Sequence, residues 1–392
     1  MSRYHSYLNS AKEILQQYKG EEPFASFLKK YFSAYKKYGS KDRKQIANLC
    51  YCFFRLGKSV MNVTLDEKIL TALFLCSDKP NEILQNLKPE WNEEVGLPVQ
   101  AKLLIINSSF LISNVFPWKN ELSEGIGHEE FSKSFFVQPD LFLRLRPGKE
   151  SIVKQKLQQT GIHFDTIADT CLALLNTSKI DTVVELDKEV VIQDFSSQQT
   201  GRFFSSAVAS LQNDKPTVWD CCAGSGGKSI MAHDLKPEIE LTVSDVRESI
   251  LANLKRRFEK AGIKNYKSFI SDLTENKSAQ PLTFNLQPSI VIADVPCSGS
   301  GTWSRTPEQL YYFNENKIEE YSVLQKKIVS NAIPHLQPGG TFIYITCSVF
   351  KKENEEVVEF IKEKFHLKLQ QMELLKGYDK KADSMFVAAF NS

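Results

Sequence analysis

Strand and helix signals alternate along the last half of this chain, and that alternation predicts an α/β fold: a largely parallel sheet covered by helices on both faces. Two observations support it. Short runs rich in β-branched and other apolar residues recur at 217–220, 240–244, 266–271, 289–295 and 341–346, separated by enough chain for helical crossovers. The first third instead spaces its apolar residues as helices do and contains no strong strand signal, which predicts a separate all-helical domain over residues 1–125.

A chain of 392 residues has room for two or three domains of ~150 residues each. With 42% hydrophobic and 24% charged residues it is globular in composition, so disorder is not the default. The 49 basic and 47 acidic residues nearly cancel, but residues 1–58 hold 12 Lys or Arg against 4 Asp or Glu. That local excess of +8 suits an anionic partner such as RNA, or a solvated basic helix face. Cysteines at 50, 52, 76, 171, 221, 222, 297 and 347 form no CxxC pair and have no His cluster beside them, so no metal site is expected. With no span of ~20 apolar residues and no cleavable leader, the expectation is a cytoplasmic monomer with reduced thiols and no membrane partner.

In chain order, Phe24, Phe27, Leu28, Tyr31, Phe32 and Tyr35 form one helix face after Pro23, with Lys29, Lys30, Lys36 and Lys37 on or near the other. A second helix, capped by Ser40, buries Ile46, Leu49, Cys50 and Phe53 and stops near Gly57. Cys50 and Cys52 belong to that apolar pattern as structural thiols. Residues 65–76 and 99–112 also read as helices. Gly125 and Gly127 mark a connector to a small α/β subdomain over 126–195. There 141–146 (LFLRLR) is a strand, Pro147 and Gly148 turn, 150–160 is helical and 190–193 is a strand. Arg144 and Arg146 face phosphate or solvent on this reading. The third domain, 196–392, holds the sheet.

Its loops carry the chemistry. Asp220-Cys221-Cys222-Ala223-Gly224-Ser225-Gly226-Gly227-Lys228-Ser229 follows a strand and opens a helix, where glycines let a ligand approach the backbone. A P-loop is disfavoured because Cys222 stands where its first glycine belongs, and the glycine spacing does not fit GxGxxG. Asp245 ends the second strand, placed for a ribose hydroxyl pair, and Asp272 the third. The stretch SIVIADVPCSGSGTWSR delivers Asp294 and Cys297 at the end of a buried strand; IYITCS delivers Cys347. If those two strands are neighbours, both sulfurs face one crevice, where Lys228 or Lys351 would favour a thiolate. Residues 306–336 begin with a helix start at Thr306, Pro307 and Gln309, and 384–390 suits a final antiparallel strand.

These motifs resemble the RsmB/NOP/Sun family of S-adenosylmethionine-dependent RNA cytosine C5-methyltransferases. The resemblance covers residues 130–390 and rests on DVPCSGSGT and ITCSVFKKENEEVV. Residues 222–229 resemble the family's CAAPGGKT loop, with Gly224 and Ser225 in place of an alanine and a proline. The helical front, with Gly39-Ser40-Lys41-Asp42-Arg43 before LCYCFFRL, is similar to a NusB-like domain. The resemblance implies a Rossmann-like class I methyltransferase sheet, an RRM-like subdomain over 126–195 and a NusB-like RNA-binding domain over 1–125. It implies that Cys347 attacks carbon 6 of a cytosine, that Cys297 assists release, and that Asp294 holds the base edge. S-adenosylmethionine would lie against Cys222, Ala223, Gly224, Ser225, Gly226, Gly227, Lys228 and Asp294, with Asp245 at its ribose and Asp272 at its adenine. The implied partner is RNA, rRNA ahead of tRNA. The family commonly has Arg-x-Asn where this chain has Arg144-Leu145-Arg146. DNA cytosine methyltransferases share the Pro-Cys strand but lack the second thiol. A tRNA methyltransferase, or a non-catalytic RNA-binding assembly factor with two buried thiols, are the remaining alternatives.

Overall fold

The computed structural model describes residues 2–106, 110–211, 214–275 and 287–392. The chain forms two compact units, one of 1–120, 126–138 and 302–315, the other of 121–125, 139–301 and 316–392. Among the described residues no helix is long and apolar enough to cross a membrane.

The first unit is helical. Its longer helices are Arg3–Gln17, Phe24–Ala34, Ser40–Phe54 and Leu65–Cys76. Phe24, Leu28, Tyr31 and Phe32 are buried along the second, as their spacing predicts, and Cys50 and Cys52 are buried on the third. Ser40 is the first helical residue rather than the cap. Gly39 holds the cap position, its N–H donating to the Asp42 carboxylate at 2.9 Å. The predicted helix over 99–112 ends at Ile106; 107–109 lie outside the described residues, and Ile112–Asn114 is a 3-10 turn. Residues 302–315 join this unit through Trp303, which is fully buried with its ring 4.6 Å from Phe313 and 6.0 Å from Trp118. Arg55 secures the same segment by donating to the Ser304 carbonyl at 2.9 Å and to the Gln138 side chain at 2.7 Å.

The second unit contains two sheets. The smaller is antiparallel, in the order β2-β3-β1-β4, from β1 (Leu141–Leu145), β2 (Phe164–Ala168), β3 (Cys171–Leu174) and β4 (Val190–Ile192), with helix Glu150–Gln159 between β1 and β2. The larger has seven strands: β5 (Thr217–Asp220), β6 (Glu240–Asp245), β7 (Tyr266–Ile270), β8 (Ile290–Asp294), β9 (Thr341–Thr346), β10 (Lys368–Leu375) and β11 (Met385–Asn391). Their order is β10-β11-β9-β8-β5-β6-β7, with β5 to β9 parallel and β11 antiparallel between β9 and β10. Successive side chains alternate faces. Val218, Ile290, Ile292, Ile343 and Ile345 pack on one side with Phe203, Ile230, Leu254 and Phe258. Trp219, Val291, Ala293, Phe342 and Tyr344 pack on the other with Ile328, Val329, Val357 and Ile361. Both faces are therefore covered by helices, which is why the central strands read as unbroken apolar runs.

Strand order reverses at β5 and β8, the place where open α/β sheets bind ligands. Asp294, Asp220 and Asp245 end adjacent strands along that edge.

Candidate active site

Strands β8 and β9 are parallel neighbours, with Asp294 paired to Ile345. The loops leaving them carry Cys297 and Cys347, whose sulfurs lie 3.2 Å apart. The shared hydrogen bond, then burial, push the Cys297 thiol well up, so Cys297 keeps its proton. Lys228, at the start of helix Gly227–Leu235, reaches Asp294 at 2.6 Å. Burial would lower the Lys228 ammonium, but the facing Asp294 carboxylate outweighs it and the net direction is up. Two thiols and a paired lysine and aspartate thus share one crevice, as the sequence led us to expect if β8 and β9 were adjacent.

The loop between β5 and that helix is shaped by its glycines. Gly224 and Gly226 have φ of +52° and +83°, a conformation other L residues rarely adopt. A Cβ on Gly226 would stand 2.8 Å from Phe258, whereas Gly224 and Gly227 border open space. The Ala223 N–H donates to the Ser244 carbonyl at 2.9 Å, which ties the loop to β6. Ser225, where the family has a proline, accepts from Arg257 through its carbonyl and its hydroxyl, at 2.9 and 3.0 Å. Cys222 is only partly buried. Asp245 accepts from the Gly224 N–H at 3.0 Å and from the Arg247 backbone at 2.9 Å. Burial works to raise this carboxyl, but Arg247 and the backbone donors hold it below its ordinary value. Asp272 lies two residues beyond β7 and accepts from the Thr274 N–H and hydroxyl, at 2.8 and 2.6 Å, closing its own turn. By direct contact the structure thus pairs Lys228 with Asp294, Cys297 with Cys347, and Gly224 with Asp245.

Arg144 and Arg146 correct an expectation. Rather than standing in solvent, Arg144 is buried and Arg146 partly buried against Asp234 of the Gly227–Leu235 helix, each with a nitrogen 2.6 Å from its carboxylate. Arg146 also donates to the Ala261 and Asp187 carbonyls at 2.6 and 3.0 Å. The arginine that replaces the family's asparagine therefore fastens the small sheet to the large one.

Sequence reasoning missed the groups behind the cysteines. Glu353 is fully buried and accepts from the Ser298 N–H, the Ser348 hydroxyl and the Gln325 amide. The stretch KKENEE holds three glutamates, and charged residues in a polar run read as solvated. Among the described residues no three His, Cys, Asp or Glu side chains group as a metal site.

A family model described as 16S rRNA methyltransferase RsmB/F matches residues 207–389. The ribosomal RNA small subunit methyltransferase B of Klebsiella pneumoniae (strain 342) is 29% identical over 173 residues, 43% of this chain and 37% of that protein. The protein of the same name from Xanthomonas campestris pv. campestris is 27% identical over 215 residues, 52% of this chain and 46% of that protein. This chain thus spans under half the length of the curated relatives it matches. Among solved structures, PH0851 has a TM-score of 0.68 at 18% identity, covering 99% of this chain and 98% of that one. NSun6 from Pyrococcus horikoshii with SFG has a TM-score of 0.57 at 14% identity, covering 71% and 96%. These two are likenesses of fold.

Proposed function

We propose that this chain, whose residues 207–389 match the RsmB/F methyltransferase model, is a methyltransferase of the RsmB/Sun family and methylates carbon 5 of a cytosine in RNA, with rRNA as the expected substrate. The observation that carries this reading is the 3.2 Å approach of the Cys297 and Cys347 sulfurs beside the Lys228–Asp294 pair. S-adenosylmethionine supplies the methyl group, and the residues at hand suit it. Gly224 and Gly227 leave open space at the carboxyl ends of β5 and β6, and Asp245 stands at the edge of that space.

The roles of the two thiols follow the family resemblance: Cys347, in the TCS motif, is the attacking sulfur and bonds to carbon 6 of the base, while Cys297, whose thiol is pushed well up by the shared hydrogen bond and burial, is not the nucleophile. Attack places electron density on carbon 5, which takes the methyl group. Lys228 and Asp294 hold the N3 and amino edge, where charge develops, in a site half withdrawn from water. Restoring the ring requires loss of the carbon 5 proton and departure of Cys347. Cys297 is the group in sulfur contact to assist that release. A paired cytosine cannot reach such a crevice, so the target base must be single-stranded or turned out of its stack. The basic helical unit would supply the electrostatic grip on the RNA.

Bisulfite sequencing of total RNA tests this in cells that lack the chain and are complemented with the parent or with Cys347→Ala. The parent should restore one protected cytosine and Cys347→Ala should not. Equal protection with and without Cys347 rejects the assignment.

A further inference from the structure

The two cysteines sit in different loops, yet the residue that follows each is tied to one carboxylate. Ser298 follows Cys297 and Ser348 follows Cys347. Glu353 Oε2 accepts from the Ser298 N–H at 2.8 Å, and its Oε1 accepts from the Ser348 hydroxyl at 2.6 Å. Gln325 completes the arrangement: its amide donates to Glu353 Oε2 at 2.9 Å and to the Pro296 carbonyl at 3.1 Å, so Cys297 is held on both sides. Asn354 does the same for Cys347, accepting from the Thr346 hydroxyl at 2.6 Å and donating to the Ser348 carbonyl at 3.0 Å. All of these side chains lie within the second unit.

We propose that Glu353 is a positioning residue: by holding Ser298 and Ser348 on one carboxylate, it sets the separation and facing of the Cys297 and Cys347 sulfurs. As a role in methyl transfer this rests on the two-thiol reading above. Two independent loops would otherwise let their tips drift, and a reaction in which one sulfur bonds to the base and its neighbour assists the release does not tolerate drift. The cost of the arrangement argues for its use. Burial raises the Glu353 carboxyl, and the donors from Ser298, Ser348 and Gln325 work against that rise. Apolar packing would join two loops with no such desolvation.

The test uses the purified full chain and diamide as oxidant. Each thiol gives up a hydrogen to the diazene, which becomes the hydrazine, and the two sulfurs join. The rate at which the Cys297–Cys347 disulfide peptide forms, read by non-reducing mass spectrometry, reports how often the sulfurs meet. It is measured beside methyl transfer for the parent, Glu353→Met, Glu353→Gln and Ser348→Ala. Glu353→Met keeps the length and removes every acceptor; it should slow disulfide formation about tenfold and kcat about a hundredfold, with the KM for S-adenosylmethionine within about twofold. Glu353→Gln keeps an oxygen for Ser298 and Gln325 and offers its amide to Ser348, so it should stay near the parent in both. Ser348→Ala, which removes one link, should slow disulfide formation in the same direction by less. A parental disulfide rate in Glu353→Met overturns the proposal, as does a parental rate in Ser348→Ala should Glu353→Met not fold. The disulfide is read without RNA. Loss of disulfide rate in a chain that never methylates RNA would therefore sink the functional reading while leaving the positioning role intact.

Discussion

A carboxyl group sealed inside a protein is costly unless it is well paired or neutral, and Asp220 shows the cost. Its Oδ2 accepts from the Ser229 hydroxyl at 2.5 Å, while Oδ1 is buried with no hydrogen-bond partner. Burial pushes its pKa up to about 7 from an ordinary 3.8. The folded state therefore prefers the proton: this group's contribution to stability is intact below pH ~4 and is lost, by roughly 4 kcal/mol, as pH rises through ~7. Asp220→Asn cannot ionise, so the variant should melt above the parent at pH 8, with the gap closing by pH 4. Thermal melts whose difference stays constant across that range would refute the assignment. Visibility from sequence divides the same way among single residues. Asp294, Cys297 and Cys347 were legible because each ends, or follows closely, a run of apolar strand residues. Glu353 was not, since only the convergence of two loops and a helix buries it.

At the scale of elements, strands β8 and β9 declared themselves through continuous apolar runs, buried on both faces. Strand β10 did not: it lies at the sheet edge with most of its residues partly or fully exposed, so KLQQMELL shows no pattern to read. Strand β2 was hidden for the same reason, and β3, although wholly buried, is too short to tell from a helix turn. Residues 306–336, for which the sequence gives only a helix start, form two helices, Pro307–Tyr312 and Asn316–Ala332. The break falls at Phe313, whose ring packs 5.1 Å from Trp118. The clamp of Arg144 and Arg146 on Asp234 carries a prediction at this scale. Asp234→Ala would leave two buried guanidinium groups facing each other without a carboxylate, which should cost about 3–5 kcal/mol in urea unfolding. A loss below about 1 kcal/mol would mean that the clamp is not what joins the sheets.

For the whole molecule, near-neutrality conceals the basic excess of residues 1–58. Lys29, Lys36 and Lys37 are exposed, while Lys30 is engaged with Glu22 at 2.8 Å. If the first three meet single-stranded RNA phosphates, replacing them by Gln should flatten the slope of log affinity against log salt by about 2, at roughly 0.7 per phosphate. Filter binding across a salt series checks this, and an unchanged slope removes these lysines from the RNA path. The chain's route has a consequence of another kind. It leaves the second unit at Gly301, contributes 302–315 to the helical unit, and returns at Asn316. No single cut in the gene can separate the two units: a fragment that begins after the helical front still encodes Trp303 and Phe313, stripped of Phe116 and Trp118. Any attempt to express one unit alone must therefore strand part of it in the other.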